Sequence, residues 1–307
     1  MYDVIIIGGS YAGIAAALQL ARARRSVLIV DAGQRRNRFA SHSHGFLGQD
    51  GQPPGAIADK GRAEVLAYPT VTWQGNAATQ ARSIPGGFAV HAGAEEHQGR
   101  RLIIATGVVD ELPAIPGLTE RWGKTVFLCP YCDGYELNLG RLGVLATGPA
   151  STHFAVVVSE WAAPGQTTFF VNGAVDAQAT QLPEFASRGI RVEHEPVVSA
   201  GGKAPQVELN LRDGRTIQLD GLFLHPRTRF TTPFAEQLGC ELEDGTLGPI
   251  YKTNAMKETN VPGVFACGDV ALPMSSVSLA VADGARAGIA AHKSLIFGPD
   301  PKEEKPA

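Results

Sequence analysis

The stretch from Val4 to Asp31 restricts what this chain can fold into more than any other. Val4-Ile5-Ile6-Ile7 is a short β-branched run, and such side chains favour a buried strand. It ends in Gly8-Gly9-Ser10-Tyr11-Ala12-Gly13. Ile14 to Ala23 is rich in alanine and leucine and predicts a helix. Val27-Leu28-Ile29-Val30 predicts a second strand, and Asp31 follows it. Strand, glycine turn, helix, strand and acid make the βαβ unit that binds dinucleotides. The glycines permit a tight turn, the helix N-terminus faces a pyrophosphate, and the acid takes a ribose hydroxyl. Asp31 follows Gly13 by 18 residues, close to the spacing this motif needs. Ser10 stands where the middle glycine of G-x-G-x-x-G belongs, so the fingerprint is imperfect. A purely structural strand–turn–helix is the alternative.

Cys129-Pro130-Tyr131-Cys132 is the second constraint. Two cysteines two residues apart can switch between dithiol and disulfide with little backbone movement. The same C-x-x-C could ligate zinc, but a zinc site wants a second pair of Cys or His at short spacing. Cys240 and Cys267 stand alone and far apart. Redox chemistry is the expectation, with no metal. It needs a partner that supplies or takes two electrons, and the segments on either side of the pair look like the halves of a dinucleotide-binding flavoprotein.

The chain has 307 residues, 44% of them apolar, which predicts two domains with separate cores. The net charge of −3 and the lack of a long basic run argue against nucleic acid. The most basic stretch, Gln34-Arg35-Arg36-Asn37-Arg38, is either a solvated loop or a diphosphate contact. No apolar run has the length of a membrane span, and Val4–Ile7 is too short for a signal-peptide core. Four cysteines do not make a disulfide scaffold. The expectation is a soluble, cytoplasmic protein in a reducing compartment.

Gln34 to Pro54 has the composition of a loop and contains His42 and His44. Both histidines are candidates for plain loop residues; the sharper reading brings His44 near a flavin ring or its diphosphate. Gln80 to Val90 and Gly99 to Ile104 predict short strands, with Ala105-Thr106-Gly107 as a small-residue turn at a cofactor. Val108 to Gly117 predicts a linker. A second βαβ unit then follows: strand Leu142 to Ala146, turn Ala146 to Ser151, helix His153 to Trp161, strand Thr167 to Val171. Its turn is degraded, with Ala146 and Ser151 in place of the first and third glycines. Its second strand leads into Asn172-Gly173, with neither the acid of an NAD site nor the base of an NADP site. Asp213-Gly214 predicts a hairpin, and Glu241 to Gly248 a second linker. Val264 to Ala266 leads into Cys267-Gly268-Asp269, Ser278 to Ile296 predicts a last long helix, and Gly298 to Ala307 predicts a frayed tail.

The order G-G-S-x-A-G, A-T-G, C-x-x-C-D, a second βαβ, G-V-F-A-C-G-D and an alanine-rich helix resembles the low-molecular-weight thioredoxin reductase family over essentially the whole chain. The resemblance implies an α/β fold of two dinucleotide-binding, Rossmann-like domains, the first discontinuous and the second inserted. Residues 1–112 and 245–307 would form the FAD domain and 113–244 the domain with the cysteine pair. It further implies that Gly8, Ser10, Tyr11, Ala12, Gly13, Asp31 and Ala32 hold the ADP half of FAD. Arg38, His44, Ala78, Ala105, Thr106 and Gly107 would line the rest, and Gly268 with Asp269 would reach the ribityl chain. The helix start at Ser276 and Val277 would face the flavin pyrimidine edge, where its partial positive charge stabilises the reduced ring. Cys132 would exchange electrons with the flavin, Cys129 with substrate, and Asp133 would move the proton. A carboxyl needs a raised pKa for that work near neutrality, which burial can supply.

The departures point to the thioredoxin reductase-like branch. The second turn is degraded, no basic pair follows Val171, and Ser275-Ser276 replaces the usual Arg-Gln before the last helix. NADPH is therefore doubtful. Three functions compete: a reductase passing electrons to a thioredoxin-like protein, a dithiol oxidase closing a disulfide in a small molecule with oxygen as acceptor, and a flavin-binding sensor. A homodimer is implied by the resemblance.

Overall fold

The computed structural model describes residues 1–176 and 180–298. The expected tail lies outside the described residues from 299 onward. The fold is α/β, and the chain divides into two compact units. Met1–Arg38, Pro54–Val109 and the chain from Thr228 form the first; Phe39–Pro53 and Asp110–Arg227 form the second. The loop at 39–53 thus packs with the unit that carries the cysteine pair, and the return to the first unit comes at Thr228.

The first unit is built on strand β1 (Tyr2–Ile7), helix α1 (Tyr11–Arg22) and strand β2 (Val27–Val30), as the opening residues predict. The helix begins three residues before Ile14, directly after the turn. The sheet has seven strands, with β1 between β2 and the long strand Glu95–Ile104 in parallel register. That long strand changes partner along its length. Its first half pairs antiparallel with Gly87–Ala92, and Leu102–Ile104 pairs parallel with Val264–Ala266. A chain segment from far along the sequence is thereby threaded into the N-terminal sheet. Val4, Ile5, Ile6, Leu28, Ile29, Leu102 and Ile103 are fully buried, as strands covered on both faces require.

The last helix, Val277–Phe297, packs on α1 through an i, i+4 pair of glycines. A Cβ on Gly284 would overlap the carbonyl of Ala12, and one on Gly288 that of Ala16. Only glycine admits so close a backbone approach. Two expectations need correction here. Glu241 to Gly248 is not a linker: Leu242–Asp244 and Pro249–Tyr251 pair antiparallel, with Gly245 N–H donating to Gly248 O at 3.0 Å. Ile250 and Tyr251 are buried, so this hairpin belongs to the core. The sequence reading also passed over a helix at Pro54–Leu66, whose buried face is narrow: Pro54, Ile57, Ala58 and Val65.

The second unit repeats the plan. Its five-stranded sheet is parallel, in the order Arg191–Glu193, Thr167–Phe170, Leu142–Leu145, Gly221–Phe223, Val126–Phe127. A three-stranded antiparallel sheet, Val197–Gly201, Val207–Leu211 and Thr216–Leu219, supplies apolar side chains to one of its two cores. Asp213-Gly214 makes the predicted hairpin between the last two strands.

Candidate active site and cofactor cradle

In a parallel sheet, ligands bind beyond the carboxyl ends of the strands. In the first unit three such ends meet. Gly8, at φ +107°, sits where a Cβ would overlap the carbonyl of Ala105, and a Cβ on Gly13 would overlap the carbonyl of Gly8. A Cβ on Gly268 would stand 2.9 Å from that of Ala12. The turn 8–13, the turn at Ala105-Thr106-Gly107 and the Gly268-Asp269 corner are therefore neighbours. Ser10 caps α1 in extended conformation with no side-chain bond to the first turn, so the N–H groups there are not covered by a side chain. Asp31 Oδ1 accepts from Gly9 N–H at 3.1 Å, which ties the acid to the turn. The Tyr11 hydroxyl donates to Pro54 O at 3.0 Å and accepts from Asn37 Nδ2 at 3.0 Å. Burial raises its pKa.

Arg36, two residues before the candidate Arg38, makes the longer connection. Its Nη1 donates to Asp269 Oδ2 at 2.9 Å and to Ser275 Oγ at 2.7 Å. Its one sequence signal was the basic cluster 34–38. Arg38 itself donates to Arg35 O at 2.8 Å. Ser276 caps the last helix, accepting from Leu279 N–H at 3.1 Å, so Val277 opens that helix. Asp283 and Lys257 escaped the sequence reading: Asp283 Oδ2 accepts from Gly268 N–H at 2.9 Å, and Lys257 Nζ lies 3.2 Å from Asp283 Oδ1. Both are buried, and the pair fixes the Gly268 corner from behind. Ala32 is exposed beyond Asp31, and Ala78 is buried at the start of Ala78–Ile84. Glycines forced by close backbone approach, uncovered helix N–H groups and a tied acid fit the adenosine diphosphate half of FAD.

The Cys129–Cys132 pair lies in the second unit. Val126–Phe127 is an edge strand of the parallel sheet, and the chain leaves its carboxyl end directly into Cys129. Cys129 and Cys132 are joined as a disulfide with Cα atoms 5.2 Å apart. Cys129 is extended, and Pro130 then opens the single turn Pro130–Asp133, where its missing N–H costs nothing. Cys132 N–H and Asp133 N–H both donate to Cys129 O, at 3.1 and 3.2 Å. Gly134 follows the turn where a Cβ would lie 2.5 Å from the Pro130 carbonyl oxygen and 2.6 Å from the Trp161 indole. Tyr131 meets the same indole edge-on at 4.8 Å between centroids, yet is 73% exposed.

Asp133 is half-buried beside Cys132. Desolvation pushes its pKa up to about 7, Glu136 adds to the rise, and His44 opposes it. His44, expected near a flavin, has its partners in the second unit: Nδ1 is 3.6 Å from Asp50 and Nε2 is 3.5 Å from Glu136. His42 lies farther out, its ring centroid 6.4 Å from that of His44. Among the described residues, no group of three or more His, Cys, Asp and Glu is arranged to hold a metal ion.

The second nucleotide turn follows Leu142–Leu145. Here Ser151 Oγ accepts from Thr147 N–H at 3.0 Å, and Thr147 Oγ1 donates to His225 O at 2.7 Å. Ser151 is 2% exposed. His225 stacks on Phe154 at 3.7 Å, and burial lowers its pKa. Thr147 N–H is thus satisfied within the turn, while the helix Ser151–Val158 starts without a side-chain cap. Asn172, where a ribose-binding acid would stand, accepts instead from Val197 N–H at 3.0 Å.

Residues 2–285 match the family described as pyridine nucleotide-disulphide oxidoreductase. The chain belongs to that family. Within the pyridine nucleotide-disulphide oxidoreductases it is similar to thioredoxin reductase tcpT of Claviceps purpurea, 31% identical, with 96% of this chain and 94% of that protein covered. It is 52% identical to an oxidoreductase from Agrobacterium tumefaciens of solved structure, with a TM-score of 0.92 and 96% and 99% of the two chains covered. A putative thioredoxin reductase TrxB of Bacillus anthracis is 28% identical, with a TM-score of 0.89 and coverage of 97% and 99%. The enzyme is thus a thioredoxin reductase-like, FAD-dependent disulfide oxidoreductase. Among its described residues no helix is long and apolar enough to cross a membrane.

Proposed function

We propose that this oxidoreductase passes two electrons between FAD and an external dithiol or disulfide through Cys129 and Cys132, with Asp133 moving the proton. The observation that carries the reading is a closed Cys129–Cys132 disulfide next to a carboxyl whose pKa is about 7. A group with that pKa both gives and takes protons near neutrality.

A substrate thiolate attacks Cys129 Sγ. The Cys129–Cys132 bond breaks, and Cys132 leaves as a thiolate that takes the proton of Asp133. The second substrate thiolate then attacks the substrate sulfur of the mixed disulfide and releases Cys129. The substrate loses two electrons to the cysteine pair, and the reverse sequence reduces a substrate disulfide. FAD supplies or accepts the electron pair when bound. Gly8, Ser10, Gly13 and Asp31 would hold its adenosine half; Thr106, Gly107, Asp269 and the helix start at Ser276 would hold the rest. Tyr131 and Tyr135, 73% and 86% exposed, give the substrate an aromatic surface beside the sulfurs.

The second turn's missing glycines, with Asn172 where a ribose-binding acid would stand, favour one further reading, a dithiol oxidase in which oxygen rather than a pyridine nucleotide exchanges electrons with the flavin. A thioredoxin-like protein is the alternative substrate. Cys129→Ser separates the cysteine mechanism from its rivals. The variant should retain flavin and lose exchange with substrate. Turnover of a dithiol or disulfide at the wild-type rate would overturn the assignment.

A further inference from the structure

Residues 39–53 come from between two elements of the first unit, yet pack with the second. The segment is folded on itself. Ser43 N–H donates to Gln52 O and Gly51 N–H to Ser43 O, both at 2.9 Å. Gly45 N–H donates to Asp50 Oδ1 at 2.8 Å, which fixes that carboxylate. The fold of the loop delivers one imidazole, His44, to the redox turn. It stands between two carboxylates from different elements, Asp50 of its own loop and Glu136 of the turn after Asp133. Its side chain is 22% exposed, against 46% for Glu136 and 71% for Asp50, so solvent screens the Asp50 contact more than the Glu136 contact.

We propose that His44 is a positioning residue for thiol–disulfide exchange: held between Asp50 and Glu136, it sets the charge balance around Asp133 and so the pH range in which Asp133 hands a proton to Cys132. The proposal rests on the assignment of Asp133 above. The titratable groups facing this site are Glu136 and Asp133 on the redox turn, His44 and Asp50 on the loop, and His42 at the loop's outer edge. Glu136 and His44 act on Asp133 with opposite signs. A carboxylate beside Asp133 disfavours its ionised form; an imidazolium favours it. Loss of either partner therefore moves the proton-transfer step in a predictable direction.

The test uses the flavin-loaded protein under anaerobic conditions. Reduction of its flavin by dithiothreitol is followed across mildly acidic to mildly alkaline pH for wild type, His44→Gln, His44→Lys, Glu136→Gln and Asp133→Asn. Each rate is divided by the fraction of dithiothreitol present as thiolate at that pH, which cancels the ionisation of the reagent. His44→Gln should move the midpoint up by about one pH unit, the size expected for one lost opposite charge at close range. Glu136→Gln should move it down, and His44→Lys, which keeps the positive charge, should hold it at or below the wild-type value. A structural role for the loop would slow the reaction without these opposed shifts. Superimposed profiles for His44→Gln and wild type, or shifts of the same sign in His44→Gln and Glu136→Gln, overturn the proposal. Asp133→Asn separates the two layers: a profile unchanged in that variant sinks the assignment of Asp133 itself, while a changed one confines any failure to His44. Should His44→Gln fail to hold flavin, the sign of the Glu136→Gln shift still decides.

Discussion

The two nucleotide turns start from the same strand–turn–helix plan and end in different states. In the first, Gly8 and Gly13 are compelled by backbone approach, and the helix start that follows Ser10 carries no side-chain cap. In the second, the Ser151 hydroxyl has turned inward to satisfy Thr147 N–H, and Asn172 has been drawn to Val197. The Ser151 hydroxyl thus stands in the place of a glycine and binds within the turn, while the helix it opens, Ser151–Val158, has no side-chain cap, like the first. The same unit keeps its chemistry elsewhere, at the carboxyl end of its edge strand, where Cys129, Cys132 and Asp133 lie. On the proposed reading, cofactor retention rests on the first unit and exchange on the second.

The largest test of that contrast is Gly13→Val. A branched side chain cannot fit against the Gly8 carbonyl, so the protein should purify without flavin, as read from its visible absorbance. A fully yellow variant would break the contrast at its first term.

Next comes the pH dependence of exchange. Asp133, with a raised pKa of about 7, carries its proton below that pH and loses it above. The rate of exchange per substrate thiolate should be high below about pH 7 and fall as pH rises through it. Asp133→Asn should remove the fall and lower the rate by roughly a hundredfold or more, as general-acid catalysis implies. Stopped-flow rates against pH check both.

The smallest effect belongs to Ser151→Gly. It removes the bond to Thr147 N–H and places a flexible residue at a helix start. Stability should drop by about 1 kcal/mol, a fall of about 1–2 °C in the melting temperature for a chain of this size. Flavin content should stay unchanged. Loss of flavin in this variant would mean that the two turns are not independent.

The sequence made the first βαβ legible because every signal there is local: β-branched runs, a glycine turn and an acid at fixed spacing. The C-x-x-C and the following aspartate were legible for the same reason. Asp269 was legible too, but its pairing with Arg36 was not, since the ion pair joins residues 233 positions apart and nothing local announces it. The degraded second turn could be seen as missing glycines, but only side-chain placement shows Ser151 filling it. The loop composition around His44 suggests a cofactor neighbour, but its two carboxylate partners, Asp50 and Glu136, come from the fold of the loop and from a distant turn, and no local signal announces them. The helix Pro54–Leu66 carries Gly55 and Gly61 and few apolar residues, which weakens the periodic signal. The hairpin at Leu242–Tyr251 was hidden by Glu241, Glu243, Asp244 and Gly245, a composition that local rules assign to a loop.

We propose that electrons meet the flavin through Cys129 and Cys132 and not through a nucleotide at the second turn. The direct measurement is anaerobic mixing of the flavin-loaded protein with dithiothreitol and, separately, with NADPH, following flavin absorbance. The account predicts bleaching by dithiothreitol that Cys132→Ser abolishes, and no rapid bleaching by NADPH. Fast bleaching by NADPH with Ser151 in place would contradict it.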